Sequence, residues 1–389
     1  MFETSSKAFP VKDYYIFLNS CGVSPLHQAA LEALIESVQR QALHGIKAFE
    51  GYHELLRSIH TELGKILQAN PSDISILRNT AECLSVVAQG LVAAQALVAG
   101  DEVVTYEHEY PSNFYPWKYL ERNGIVLKII PDLRIDPQRP HSFSYQSVVQ
   151  ALTAKTKLLA LSHVQFTSGF ACDIARIAEL CAERGIDFVV DAAQSLGALP
   201  IYPEALKISA IAAPSSKWLI GPSSLALLYT SPKFRQKLAP VLTGQDMMKQ
   251  GVDYLNLTLD PHPDGRMFEY STIAPAELHG FEVTLKQIFS GQKMEAIRDR
   301  IFSLQDKFLT VVDRKFYQPV LFPDKINRSG ILSFVTKTDP VELMKEIIKR
   351  GVFVSSRGGY LRFAPQMYIT EEEVIRAGQV WNEAAFASC

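Results

Sequence analysis

Lys217, in the run Ala-Pro-Ser-Ser-Lys-Trp-Leu-Ile-Gly-Pro, and Asp191, which ends the apolar run Phe-Val-Val-Asp, are the residues whose types and spacing point most directly to chemistry. A lysine amine condenses with a carbonyl as a Schiff base, and once an incoming amine displaces it the free Nζ is a base beside the Cα proton. An upstream carboxylate at a strand end can pair with a heterocyclic nitrogen and keep it protonated, which makes the ring an electron sink. Together these are the requirements of a pyridoxal phosphate site. Singly, each has a plainer reading. A Lys beside Trp is commonly a solvated surface cation, and an Asp after a buried strand commonly caps a turn.

Such a pair works only if strands end at a common edge and helices cover them. Ser24 and Pro25 read as the N-cap and first residue of a helix running to about His44, where Gly45 stops it. Asn79 followed by Glu82 imitates a capping box and opens a long helix ending near Gly100. Within it, the apolar stretch 84–99 is broken by Gln89 and Gln95 and reads as a buried helix, too short for a membrane span. β-rich runs follow at 103–106, 126–130, 158–161, 188–190 and 225–229, with a helical pattern at 174–183 ending at Gly185. This alternation predicts βαβ units and a largely parallel sheet covered on both faces, with ligands at the carboxyl ends of the strands.

From about Gln287 the pattern changes. A long helix precedes a strand at 331–335, a helix capped by Asp339 with Pro340 in its first turn, and strands near Val352 and Leu361. The expected fold class is α/β, with a large domain (17–286) built on a mainly parallel sheet sandwiched by helices and a smaller α+β domain from 1–16 and 287–389.

Composition narrows the class. The 389 residues are enough for two domains with a large core, and the formal net charge of -2 leaves no electrostatic footprint for nucleic acid or an anionic membrane. Five scattered cysteines, Cys21, Cys83, Cys172, Cys181 and Cys389, form no C-x-x-C pair, which argues against a disulfide framework and a zinc site, so no metal is expected. Reduced thiols and an N-terminus without an apolar run lead to the expectation of a cytoplasmic protein. Neither G-x-G-x-x-G nor the P-loop pattern occurs, which argues against dinucleotide and P-loop chemistry.

The motifs along this framework resemble those of the class V aminotransferases, the fold-type I pyridoxal phosphate family that includes the cysteine desulfurases, and the resemblance runs through nearly the whole chain. Asn19 lies in Leu-Asn-Ser-Cys-Gly-Val-Ser-Pro, similar to an entry segment near the substrate. Asn79-Thr80-Ala81-Glu82 resembles the family's Asn-Thr-Thr-Glu element, a helix N-terminus suited to phosphate; its plainer reading is an ordinary cap. Counting back from Pro116-Trp117, Tyr110 takes the place of the ring that stacks on the cofactor. His108 is the other candidate for stacking or acid/base work, or a turn residue. Gln165, where family members often carry Asn, would lie near the phenolic oxygen. Asp191-Ala-Ala-Gln194 is the closest match and implies Asp191 on the ring nitrogen and Gln194 on the phenolic oxygen.

The lysine loop departs from the family pattern, since Ser216 stands where a His precedes the lysine and Pro214 where a Ser is usual. The resemblance then leaves the phosphate to the hydroxyls of Ser215 and Ser216. Thr272, in Glu269-Tyr-Ser-Thr, matches the threonine that reaches the phosphate of a neighbouring subunit, which implies a homodimer. Arg362, in Tyr-Leu-Arg-Phe-Ala-Pro, matches the arginine that grips the substrate α-carboxylate, a task suited to a planar guanidinium. Arg357 lines the same mouth or is a solvated loop charge.

The resemblance implies an amino acid as substrate, with a keto acid as second partner if the reaction is a transfer. A persulfide-forming desulfurase needs a nucleophilic Cys shortly before the carboxylate-binding Arg, and 346–362 contains none. The leading expectation is therefore Cα-proton abstraction by Lys217 feeding transamination. β-Elimination from a sulfur amino acid and epimerisation are the alternatives, and a catalytically silent cofactor-binding protein is the alternative of another class. Side-chain specificity is expected from loops such as 242–259 and from the surroundings of Asn19.

Overall fold

The computed structural model describes residues 2–133 and 140–387. Seven strands form the central sheet: β1 (Ile74–Leu77), β2 (Glu102–Tyr106), β3 (Val126–Ile130), β4 (Thr156–Ser162), β5 (Asp187–Asp191), β6 (Ala210–Pro214) and β7 (Ala226–Thr230). Their order across the sheet is β1-β7-β6-β5-β4-β2-β3, and β7 alone runs antiparallel to its neighbours. The expected α/β class with a mainly parallel sheet is what the chain adopts.

Alternate residues of the central strands feed two different cores. Phe188, Val190, Leu159, Leu161 and Ile211 join one apolar cluster, while Val189, Leu158, Ala160, Ala210 and Ala212 join the other. The two-residue side-chain period of a strand therefore buries both faces, as a helix-covered parallel sheet requires. Two strands, β1 and β6, fall outside the sequence pattern. β6 reads Ala-Ile-Ala-Ala-Pro, whose small residues have little intrinsic β-preference, and it is a strand because it is enclosed between β5 and β7.

Helices α2 (Tyr52–Leu67), α3 (Thr80–Ala93), α4 (Pro111–Tyr119) and α5 (Ile174–Arg184) pack around this sheet, while α1 (Gln28–His44) lies against the helix Pro275–Thr284. Asn79 caps α3 as expected, its Oδ1 accepting the Glu82 N–H at 2.9 Å, but the Glu82 carboxylate turns to the Arg78 N–H and the helix ends at Ala93. Helix α1 begins three residues later than Pro25, with His27 as its cap. The cause is long-range: the Ser24 N–H is bound to the carbonyl of Ser216 at 2.8 Å, so the 19–25 segment is drawn across the lysine loop before a helix can start.

The smaller unit pairs β8 (Tyr317–Pro319), β9 (Leu332–Thr336), β10 (Ser355–Arg357) and β11 (Tyr360–Phe363) in an antiparallel sheet of order β10-β11-β9-β8, covered by α6 (Met294–Leu309), α7 (Pro340–Lys349) and α8 (Glu371–Ala387). Asp339 caps α7 through a 2.9 Å bond to the Val341 N–H. The N-terminal segment ties the units together: Ile16–Phe17 pairs with Val352–Phe353, and Asn19 bridges to Ala364. Among the described residues no helix is long and apolar enough to cross a membrane.

Candidate active site

The parallel pairing of β4, β5 and β6 sets Ser162 beside Asp191 and Asp191 beside Ala212, so three strands release their loops at one edge. A cavity of about 480 Å³ opens there, lined by Asn79, Thr80, Ala81, Tyr110, Asp191, Gln194, Ser216, Lys217, Arg357 and Arg362. Residues far apart in sequence thus meet in one place.

Lys217 sits in the turn after β6. Burial pushes its amine below the usual lysine range, against the opposing pull of Asp191. Its Nζ stands 5.4 Å from the centre of the Tyr110 ring. The loop is held in an uncommon shape: Ile220 and Ser224 have φ of 55° and 65°, and a β-branched residue at positive φ persists only where its surroundings impose it. Behind it Gly197, at φ 97°, leaves room for the Trp218 backbone, whose carbonyl carbon would lie 2.5 Å from an added Cβ. The lysine is therefore presented on a braced turn.

Asp191 is 3% exposed. Burial raises its pKa above the ordinary carboxylate value, while the Ala193 N–H, 2.8 Å from Oδ1, and Lys217 pull it back. Its Oδ2 accepts no hydrogen bond among the described residues and can receive a ring N–H. His163, next to Asp191 through a 3.0 Å backbone bond, is pushed down to about 4 by burial and stays neutral, so it brings no rival cation. Gln194 accepts from the Trp218 indole at 3.0 Å and donates to the Cys21 carbonyl at 2.9 Å, which leaves one amide N–H.

At the opposite wall, Arg362 is 3% exposed and has no carboxylate partner among the described residues. Burial lowers its pKa. It donates to the Phe166 carbonyl at 2.5 Å and to Ser355 Oγ at 2.8 Å, and Ser355 in turn donates to Asn19 Oδ1 at 2.6 Å. A buried guanidinium fixed by neutral groups keeps its charge available for an incoming anion.

These features fit pyridoxal phosphate by the chemistry of the donor set. An amine, a buried carboxylate with one open oxygen, and the N-terminal residues Thr80 and Ala81 of α3 line one cavity, and first-turn amides have no acceptor within their own helix.

Several expected residues stand elsewhere. Ser215 does not line the cavity; its hydroxyl donates to the carbonyls of Pro222 and Leu225, 3.1 Å away in the second case, and so closes the lysine loop. Gln165 is buried behind the wall and donates to Glu109 at 3.2 Å. Phe166, its neighbour, is the residue that faces the cavity and meets the Tyr110 ring edge-on at 5.2 Å. Asn19 does not line the cavity and meets Arg362 only through Ser355, whose hydroxyl it accepts. His108 is turned to Asp132 and His141, and Tyr110 holds the place beside Lys217. Thr272, expected at a neighbouring subunit's site and not at this one, is exposed outside the cavity, its hydroxyl 3.0 Å from Asp246 Oδ2, in a hollow shared with Arg78 and Tyr270.

Two residues escape a reading of the sequence. Glu109 is buried and collects the Ser162 N–H at 2.8 Å, the Ser162 hydroxyl, the Asn113 amide at 3.1 Å and Gln165. Burial raises its pKa to about 7, helped by nearby Asp191. Cys21 lines the cavity with Lys217 and Arg362, its thiol 3.4 Å from Asn19 Oδ1. The missing loop cysteine thus does not leave the cavity without a thiol. The place of Cys21 two residues after Asn19 is the signal that could have found it.

The family model for Aminotransferase class-V matches residues 16–380. The chain belongs to this family. Class-V aminotransferases use pyridoxal phosphate, the cofactor expected from Lys217 and Asp191. A "Probable cysteine desulfurase" of Methanothermobacter thermautotrophicus is 23% identical, with 98% of each chain covered. The "Uncharacterized aminotransferase YcbU" of Bacillus subtilis is also 23% identical, over 96% of each chain. Among solved structures, the cystine C-S lyase C-DES in complex with cysteine persulfide superposes with a TM-score of 0.85 at 19% identity, over 96% of this chain and 99% of that one. A cysteine desulfurase from Thermococcus onnurineus gives a TM-score of 0.85 at 19% identity over the whole of both chains. These likenesses show a shared fold.

Proposed function

We propose that this class-V family member acts on an amino acid in the cleft between the 17–286 unit and the unit of 1–16 and 287–389, with Lys217 removing the Cα proton. The observation that carries this reading is the convergence of Lys217, Asp191 and Arg362 on one cavity. When bound, the cofactor supplies a protonated ring that draws electrons from Cα. Asp191 would hold that ring's N–H, Gln194 would offer its remaining amide N–H to the phenolic oxygen, and the Tyr110 ring would pack against the cofactor. The N-terminus of α3 at Asn79, Thr80 and Ala81, with Ser216, holds the phosphate. Arg362 takes the substrate carboxylate, positioned by Ser355 and Asn19, and Arg357 adds charge at the mouth. The depressed pKa of Lys217 favours a neutral amine, the form that accepts a proton.

Transamination, with a keto acid as second substrate, is the first reading of the step after proton removal. Cleavage of a C–S bond in a sulfur amino acid is the second, favoured by the Cys21 thiol in the cavity and by the names of similar proteins. The match of Thr272 to the family threonine that reaches a neighbouring subunit's phosphate, with its side chain outside this chain's own cavity, supports a homodimer. The four described cysteines are unpaired, which supports a reducing, cytoplasmic setting.

Product analysis of the loaded enzyme with a panel of amino acids separates the readings. A keto acid with the cofactor left in its amine form supports transfer; pyruvate with stoichiometric sulfide replaces transfer by lysis, and inverted substrate alone marks epimerisation. Lys217→Ala should lose turnover by about 10³-fold or more, together with the visible absorption of lysine-bound cofactor. A Lys217→Ala protein that keeps both overturns the assignment.

A further inference from the structure

His108, left unused by the cavity, belongs to a second constellation at the same edge of the sheet. It follows β2, and Asp132 follows β3, two strands paired in parallel with Tyr106 opposite Ile130. His108 Nε2 is 3.5 Å from Asp132 Oδ2, and His141 Nδ1 is 2.7 Å from the same oxygen. The two imidazole rings lie 4.1 Å apart between centres, tilted by 42°, and one ligand atom from each of the three residues falls within a 4.8 Å span. The other carboxylate oxygen, Asp132 Oδ1, is held by the Tyr106 hydroxyl at 2.5 Å and the Ser142 N–H at 3.0 Å. The Ser168 hydroxyl fixes the His141 carbonyl at 2.6 Å. Asp132 is thus oriented from one side while its second oxygen is presented to two imidazoles.

We propose that His108 Nε2, Asp132 Oδ2 and His141 Nδ1 form a binding site for a divalent transition metal of the zinc class. Two imidazoles and one carboxylate match the donor preference of zinc, whereas magnesium and calcium demand oxygen donors throughout. The ion replaces the proton shared by His141 and Asp132, and that pair opens to roughly 3 Å so that each ligand atom lies about 2.0–2.2 Å from the metal. Tyr106 and Ser142 are the outer partners that hold the carboxylate, the role such groups play around metal ligands. The described residues supply three donors, and water or a further ligand completes the coordination. Cysteine spacing, which speaks against a thiolate zinc site, has no bearing on this triad, since it contains no cysteine and no ligand-spacing motif.

The site is coupled to the cavity by short connections. His108 is two residues before Tyr110, whose ring faces Lys217. His141 meets the Tyr360 ring edge-on at 6.0 Å, and Tyr360 pairs with Arg357 of the cavity mouth. A bound ion pins the Tyr110 segment to the loop after β3 and so steadies one wall of the cavity. Its role is positional.

Cobalt(II) titration of chelator-treated, cofactor-loaded protein tests the site through the visible ligand-field bands of the ion, with zinc counted by equilibrium dialysis. One ion per chain is expected, with Kd in the micromolar range or below and a small change in the cofactor's absorption as the ion binds. Tyr106→Phe should weaken binding by about 10-fold. His108→Ala should abolish both the bands and the coupled change, and because His108 is partly exposed this variant keeps the core intact. Absence of stoichiometric binding overturns the proposal, and so does an ion that binds His108→Ala and Asp132→Asn as tightly as the parent. The readout is independent of turnover, so its failure leaves the proposed function standing.

Discussion

Arg235 and Arg362 are both buried, 7% and 3% exposed, yet they sit in regions built on opposite terms. Arg235 is saturated: it meets Asp73 at 2.7 Å, the Thr230 carbonyl at 2.8 Å and the Pro263 carbonyl at 3.1 Å, clamping β1 to the end of β7. Arg362 meets a carbonyl and a hydroxyl and, among the described residues, no carboxylate. A buried cation with its charge matched stabilises the fold and offers nothing to a ligand. One whose charge is left unmatched costs stability and is ready for an anion. The same contrast separates Ser215, spent on backbone carbonyls, from Ser216, which faces the cavity.

Arg235→Ala gives the largest expected change on the matched side, a loss of about 4 kcal/mol because Asp73 is left buried and alone; urea unfolding of the loaded protein measures it. KM should be nearly unaltered, and a variant of full stability that no longer binds substrate would erase the contrast.

Glu109 probes the unmatched side through pH. Its pKa is raised in the fold to about 7, so the native state binds more protons than the unfolded chain between the ordinary carboxylate value and about 7. Stability must therefore fall as pH climbs through that window. Glu109→Gln should remove up to about 3 kcal/mol of this fall, at roughly 1.4 kcal/mol per unit. Unfolding midpoints of parent and variant at pH 5 and pH 8 decide it, and parallel curves would mean that Glu109 is ionised throughout.

Arg362→Ala should raise KM for the amino acid by about 30- to 100-fold, the loss of charged hydrogen bonds worth roughly 2–3 kcal/mol, with little loss of folding stability. Steady-state kinetics beside a melting curve show whether the two arginines divide as described. The smallest effect is expected at Ser215: Ser215→Ala should cost about 1 kcal/mol of stability and leave cofactor affinity unchanged, whereas Ser216→Ala should weaken cofactor binding at constant stability. Equal loss of cofactor affinity in both would return Ser215 to the phosphate site.

Much of this organisation is legible in the sequence. The β5 run ending in Asp191, the cap at Asn79 and the strand positions between 103 and 230 follow from alternation and local cap chemistry, which depend on neighbours within a few residues. β6 is not legible, because an alanine-rich segment becomes a strand only when neighbours enclose it. The start of α1 is misplaced by local rules because Ser24 obeys a contact with Ser216, far along the chain.

The sequence by itself determined the chemical vocabulary of this protein: an amine at 217, a carboxylate at 191, an arginine at 362 and the α/β frame that carries them, since residue type and local periodicity need no third dimension. The tertiary structure alone decided which groups share a space. It turned Ser215 inward and Ser216 outward, brought Cys21 into the cavity, and set His108 beside Asp132 and His141. Side-chain direction in a loop is set by long-range packing and backbone twist, which one-dimensional spacing does not contain.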